Sequence, residues 1–249
     1  MSDGESGNRL SIIMVQPVPR ATLRSKVVAH LFDAILRREL RPGERIVEAK
    51  LARRLGVAQS TLREALQQLE HQGLVTKHEN RGTFITRLTA EDIEGIYVVR
   101  LELEPLAAFL ARQKWTPDHQ ARLTELLQEM REASERRDFE ELLKKDLAFH
   151  QFIWRSSGNR ALERALNAVC PSIFAGYLMF FMSGDTYDFA EDYREHQTLL
   201  AAFERGSPEE VRKIFREMTE VFRVQDVHNL RALSAEETPA ASASGTIPP

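Results

Sequence analysis

Cysteine is nearly absent: Cys170 is the single one in 249 residues. An internal disulfide is therefore excluded, which fits a reducing compartment. No apolar run approaches the roughly 20 residues of a membrane-crossing helix. Nor do the first residues show a basic stretch followed by an apolar core, the pattern of an export signal. These absences predict a cytoplasmic protein with no membrane partner. No strand pattern follows Leu88, and no internal repeat is visible.

A hydrophobic share of 43% and a charged share of 29% are those of a globular chain. The length suffices for two domains. Met1–Pro19 and 233–249 are rich in Ser, Gly, Pro and Ala and read as flexible tails. The formal net charge of -3 hides an asymmetry. From Arg20 to Arg87 there are 14 Lys+Arg against 7 Asp+Glu; from Leu88 onward there are 19 against 28. A basic segment beside an acidic one suggests that the first part faces phosphates.

The basic part, 20–87, has its own organisation. Leu23, Val27, Val28, Leu31, Ile35 and Leu36 recur at helical spacing, with Thr22 or Ser25 as cap and Pro42-Gly43 as the stop. A second helix spans about Val47 to Leu55, and Gly56 fits the left-handed position that ends it. A third, about Gln59 to His71, turns Leu62, Ala65, Leu66 and Leu69 inward. That leaves Gln59, Ser60, Thr61 and Arg63 at an exposed N-terminal end, where amides and a guanidinium meet base edges and phosphates. Gly73 closes this helix. Leu74 to His78 and Thr83 to Thr86 read as strands of a small hairpin with Asn80-Arg81-Gly82 at its tip. Arg81 and Gly82 are placed to approach a neighbouring groove. This is a winged helix-turn-helix layout, for which the expected partner is double-stranded DNA. The same pattern occurs in proteins that never touch DNA, and Ser-Thr at a helix start is also an ordinary cap.

The segment from Arg41 to Ile85 resembles the winged-helix domain of the GntR family of bacterial transcription regulators. The matching positions include Pro42, Gly43, Leu51, Ala52, Leu55, Gly56, Val57, Arg63, Glu64, Ala65, Leu66, Leu69, Gly73, Arg81 and Gly82. Gln59 departs: the family often has a DNA-contacting Arg there, so the base preference at that position is expected to differ.

From 88 to 232 the pattern is helical, predicting a bundle of six or seven helices and a mostly α protein overall. Thr89 with Asp92 suggests a capping box. Thr116-Pro117, Asp138, Arg160, Tyr187 and Ser207-Pro208 open the later helices. Pro171 is expected to kink the one running from Arg160 to about Met182. Asp146 and His150 stand four apart, on one helical face. His196 lies on a later helix beside Leu199, Leu200 and Phe203. A carboxylate and imidazoles converging from two helices suit a divalent metal. The pair at i,i+4 is also a common plain hydrogen bond. Phe174, Tyr177, Phe180, Phe181 and Tyr187 read as core or dimer surface.

The stretches DLAFHQFIWRSSGNRALE and EHQTLLAAFERGSPEEVRKIFREM resemble the FCD effector domain that accompanies the FadR branch of this family. Resemblance implies an all-helical effector and dimerisation domain, with Asp146, His150 and His196 as ligands of zinc, nickel or manganese. The family's fourth ligand, a histidine, falls on Met218, whose thioether suits those ions poorly. Water or an effector carboxylate would complete the shell, or metal is lost. Arg100 matches an arginine that pairs with an acidic effector; read from the residues alone it is an exposed helix charge, or a partner of Glu104. The whole then implies a homodimeric regulator reading an inverted repeat, a repressor released by a small organic acid. The alternatives are a metal-dependent hydrolase or lyase using Asp146, His150 and His196, for which no nucleophile stands at a recognisable spacing, and a protein-binding adaptor.

Overall fold

The computed structural model describes residues 22–173 and 188–236. The expected tails, the aromatic group from Phe174 to Tyr187 and the break at Ser183-Gly184-Asp185 lie outside the described residues, apart from 233–236. The described chain is mostly helical, with one small sheet.

The first helix, α1 (Leu23–Leu36), starts where Thr22 accepts the Ser25 backbone N–H at 3.2 Å. This satisfies one of the amides that a helix start leaves without a partner. A two-residue strand, β1 (Arg45–Ile46), follows and was not anticipated from the sequence. Two residues are too few to show a period of two, and β1 exists because β3 supplies its hydrogen bonds. Next come α2 (Glu48–Leu55) and α3 (Gln59–His71), joined through Gly56 at φ +65°, the left-handed turn expected there. The strands β2 (Val75–His78) and β3 (Gly82–Ile85) pair antiparallel, Lys77 opposite Thr83, and β1 pairs on the other edge of β3. Each hairpin strand lies within one residue of its expected bounds.

Thr89 and Asp92 form a reciprocal capping box at the start of α4 (Ala90–Gln113), which runs through Pro105. Asp therefore serves where Glu or Gln is usual, because its shorter carboxylate still reaches the Thr89 amide at 2.8 Å. Then follow α5 (Pro117–Glu135), capped by Thr116, and α6 (Phe139–Ser156), capped by Asp138. Two differences from expectation come after Gly158. The helix from Arg160, α7, stops at Val169, and residues 171–173 are again helical after Cys170. Pro171 lacks an N–H, so the α7 ladder cannot pass through it. The last two helices are α8 (Phe189–Arg205) and α9 (Pro208–Glu236), the latter a turn and a half longer than expected. No described helix is long and apolar enough to cross a membrane.

Within the bundle, α4 packs along α9, and α5 lies between α6 and α8. One apolar cluster fills the N-terminal unit through Val27, Leu31, Ile35, Leu62, Leu69 and Ile85. It continues without a gap into Phe139, Leu147, Trp154 and Leu166 of the bundle. The bundle has its own cluster around Phe149, Phe203 and Phe215. Burial of this kind stabilises by about 25 cal/mol per Å² of apolar surface. A shared cluster means that the two units cannot separate without exposing it.

Candidate functional site

Two places concentrate polar chemistry. On the N-terminal unit, burial of Leu62, Ala65, Leu66 and Leu69 forces the opposite face of α3 outward. Gln59, Ser60 and Arg63 are exposed and Thr61 half-buried. Ala58 precedes α3, so no side chain caps its first amides. A helix start of that kind carries a partial positive charge suited to phosphate. Arg81 is exposed at the hairpin tip, after Asn80 at φ +60°. Gly82 has φ +106°, and a Cβ there would meet the Arg45 Nε at 3.2 Å. A side chain at position 82 would therefore be strained by the positive φ and would crowd the Arg45 side chain.

Two residues of this face went unnoticed in the sequence. Arg45 is one. Glu48 is the other: its Oε2 accepts the Arg63 Nε–H at 2.7 Å, and its Oε1 accepts the Thr83 hydroxyl at 3.4 Å. A carboxylate fifteen residues before an arginine leaves no local signal.

The second place lies inside the bundle. Asp146 and His150 sit one turn apart on the buried face of α6, and α8 brings His196 to them. His196 Nε2 is 3.0 Å and His150 Nε2 3.4 Å from Asp146 Oδ1. The three donor atoms lie within 4.8 Å of one another. Donors about 2.1 Å from an ion stand about 3.0 Å apart at a right angle and about 3.4 Å apart at a tetrahedral one. Both spacings to Asp146 are thus those of ligands of one ion. The ring orientation agrees: His196 Nδ1 is 2.8 Å from the Asp192 carbonyl, to which it can only donate. That leaves Nε2 as the nitrogen with a lone pair to offer once it loses its proton. On chemistry and spacing, the residues present fit a divalent metal. Met218 instead packs with the apolar cluster of Phe203 and Phe215.

Electrostatics here follow from burial. Burial works against a charge on His196, but the Asp146 and Asp192 carboxylates and the hydrogen bonds outweigh it and push its pKa up to about 10. His150 goes the other way. Burial lowers its pKa despite Glu104 and Asp146. Asp146 is held below the usual carboxylate range: burial opposes its charge, and His196 and His150 overcome that. Without metal, then, the site is an Asp146–His196 ion pair beside a neutral His150.

A second ring of polar residues surrounds the trio. Arg100, expected either at a pocket edge or as an exposed charge, is only 4% exposed. The exposed-charge alternative is thereby overturned: α4 turns Arg100 inward, and its Nη2 donates to Glu104 Oε2 at 3.2 Å. Glu104, 1% exposed, also lies 3.5 Å from Thr219 Oγ1, 3.8 Å from Cys170 Sγ and 4.0 Å from His150 Nδ1. The Arg100 guanidinium stacks 4.7 Å from the Tyr97 ring centre, and the Tyr97 hydroxyl donates to buried Asp226. Sequence spacing gave no sign of Thr219 and Cys170 as neighbours of Glu104, or of Asp226 as the partner of Tyr97.

Comparison with known proteins agrees with this architecture. Residues 23–85 match the gntR family of bacterial regulatory proteins, and residues 95–220, just over half of the chain, match the FCD domain. The transcriptional regulator YdhC of Bacillus subtilis is 35% identical over 130 residues, 52% of this chain and 58% of that protein. The Nta operon transcriptional regulator of Aminobacter aminovorans is 37% identical over 133 residues, covering 53% and 63%. The chain thus spans about three fifths of the length of these two relatives. Among solved structures, McbR of Escherichia coli superposes with a TM-score of 0.69 over 86% of this chain and 100% of that one. At 23% identity the likeness shows the fold alone. The relatives are transcription regulators rather than enzymes, and regulators of this kind bind DNA and small-molecule effectors. With its N-terminal helix-turn-helix unit and its helical FCD bundle, this chain belongs to the GntR family of bacterial transcription regulators.

Proposed function

We propose that the chain is a ligand-responsive repressor, in which residues 20–87 read DNA and residues 88–232 sense a small organic acid and pair two chains. Gln59, Ser60, Thr61 and Arg63 would face one half-site of an inverted repeat, with Arg81 and Gly82 on the adjoining backbone or groove. Asp146, His150 and His196 would hold zinc, nickel or manganese. The ion supplies a positive anchor for an effector carboxylate. Arg100 would contribute the second positive charge of the pocket, once the effector competes with Glu104 for it.

One observation carries the regulatory part. Helix α6 bears Asp146 and His150, and two and six residues before Asp146 it bears the polar contacts to the N-terminal unit. Glu140 accepts Arg37 of α1 at 3.1 Å, and Lys144 pairs with Asp33 of α1 at 2.9 Å. Ligands and docking groups on one rigid helix move together. An effector that favours one position of α6 therefore favours one placement of the reading head. It can do so only by as much as its affinity for the two placements differs, commonly about 5- to 150-fold.

The test is a mobility shift on a duplex selected by the protein from a random pool, with and without nickel and a panel of small organic acids. Weakened binding with one acid is expected. A protein that selects a duplex yet ignores every acid would remove the organic-acid part and leave the DNA-reading part. The hydrolase alternative is set aside, because its three residues sit in the effector domain of a regulator family.

A further inference from the structure

We propose that Glu48 is a positioning residue for base recognition, aiming the Arg63 guanidinium from α2 and so setting how sharply α3 discriminates between base pairs. It rests on α3 being the helix that enters the groove.

A carboxylate on this face is unexpected on electrostatic grounds. The unit carries 14 Lys+Arg against 7 Asp+Glu, and phosphates repel an added negative charge. Part of its presence is local: Glu48 lies in the first turn of α2, where the helix dipole favours an acid. That does not account for the engagement of both carboxylate oxygens. Oε1 accepts from Thr83, a buried residue of β3, and Oε2 from Arg63 of α3. One carboxylate thereby joins α2, α3 and the wing.

The bond to Arg63 goes through Nε, the donor not needed for an end-on fork of Nη1 and Nη2 to guanine O6 and N7. With its side chain 65% exposed, Arg63 is otherwise held by little packing. An unbraced arginine would have to be ordered at the moment of binding. It could equally turn to the nearest phosphate, which carries no sequence information. The brace keeps the guanidinium over the base edges.

Its consequence separates two quantities that usually move together. Removing the carboxylate should leave affinity for random DNA unchanged or raise it, because a repulsive charge is gone. The same change should lower selectivity. The measurement uses the full chain and a duplex that the parent selects from a random pool. Affinities are compared for that duplex, for its single-base-pair variants and for random duplex at one salt concentration. Glu48→Ala is expected to lose about tenfold of discrimination at the base pair where Arg63→Ala also loses it. Glu48→Gln keeps an acceptor for Nε and should recover most of the loss. Thr83→Val loosens the carboxylate without removing its charge, should lose an intermediate amount, and carries the test if Glu48→Ala does not fold. Equal weakening on selected and random duplex would overturn the proposal and leave Glu48 a structural residue. Undiminished discrimination in Glu48→Ala would overturn it too. If the parent selects no duplex at all, the assignment of α3 fails, and the proposal with it.

Discussion

The stability that His196 contributes should respond to pH with one sign without metal and with the opposite sign when nickel is bound. Without metal, the folded chain raises the His196 pKa from 6.5 to about 10. A raised value means that the folded state holds a proton the unfolded chain has given up. The resulting stability is complete below pH 6.5 and is lost as pH rises through about 10. The full gap corresponds to at most roughly 5 kcal/mol, and the stretch from pH 7 to pH 9 to roughly 3 kcal/mol. Asp146 belongs to the same ion pair and is not added to it. For a chain of this size each kcal/mol moves the melting midpoint by about 2–4 °C. Between pH 7 and 9 in EDTA, the parent's advantage over His196→Gln should therefore shrink by about 5–10 °C. His150 does not disturb this window. Its lowered pKa keeps it neutral when folded, so it weakens the fold only as pH falls below 6.5, where the unfolded chain gains the proton. With nickel the direction reverses. The ion needs Nε2 without its proton, so nickel binding expels a proton and its stabilising effect grows with pH. Calorimetric melts of both proteins at pH 7, 8 and 9, in EDTA and in nickel, would check this. An advantage over His196→Gln that does not change with pH in EDTA would refute the ion-pair reasoning. A nickel effect that weakens with rising pH would refute the ligand assignment.

Arg63→Ala should weaken binding to a selected duplex by about 10- to 100-fold, with little change in melting midpoint, because exposed ion pairs contribute only about 0–1 kcal/mol; equal affinity in a titration would displace the recognition helix. The logarithm of the DNA association constant should fall linearly with log salt, at about 0.9 per phosphate neutralised; a flat response over 50–200 mM salt would contradict the basic face. Lys144→Met should leave nickel content unchanged but reduce any nickel- or acid-induced change in DNA affinity, since the α1–α6 link through Asp33 is cut; full coupling in the variant would relocate the link.

The start and stop of most helices were legible because caps act within four residues. Thr22, Gly56, Thr89 with Asp92, Thr116 with Pro117, and Asp138 all stand where the sequence put them. The strand β1 was not, because it depends on a partner, β3, some forty residues away. The same division runs through the site. Asp146 and His150 share a face because their spacing in one helix requires it. Arg100 did not reveal whether it faced water or core, since apolar residues recur around α4 and its exposed stripe itself carries Val98 and Val99.

By itself, then, the sequence determined most helices and the hairpin, the basic front and acidic rear, the exposed end of α3 and the one-turn pairing of Asp146 with His150. Each follows from interactions between near neighbours or from composition. Only the tertiary structure decided that His196 reaches Asp146 from 50 residues away, that Glu104 is buried against Thr219 and Cys170 with Arg100 bonded to it, and that Glu48 holds Arg63. Those contacts join residues with no local constraint between them. They exist because apolar faces elsewhere on the same helices must pack, and packing fixes which polar groups are left to meet.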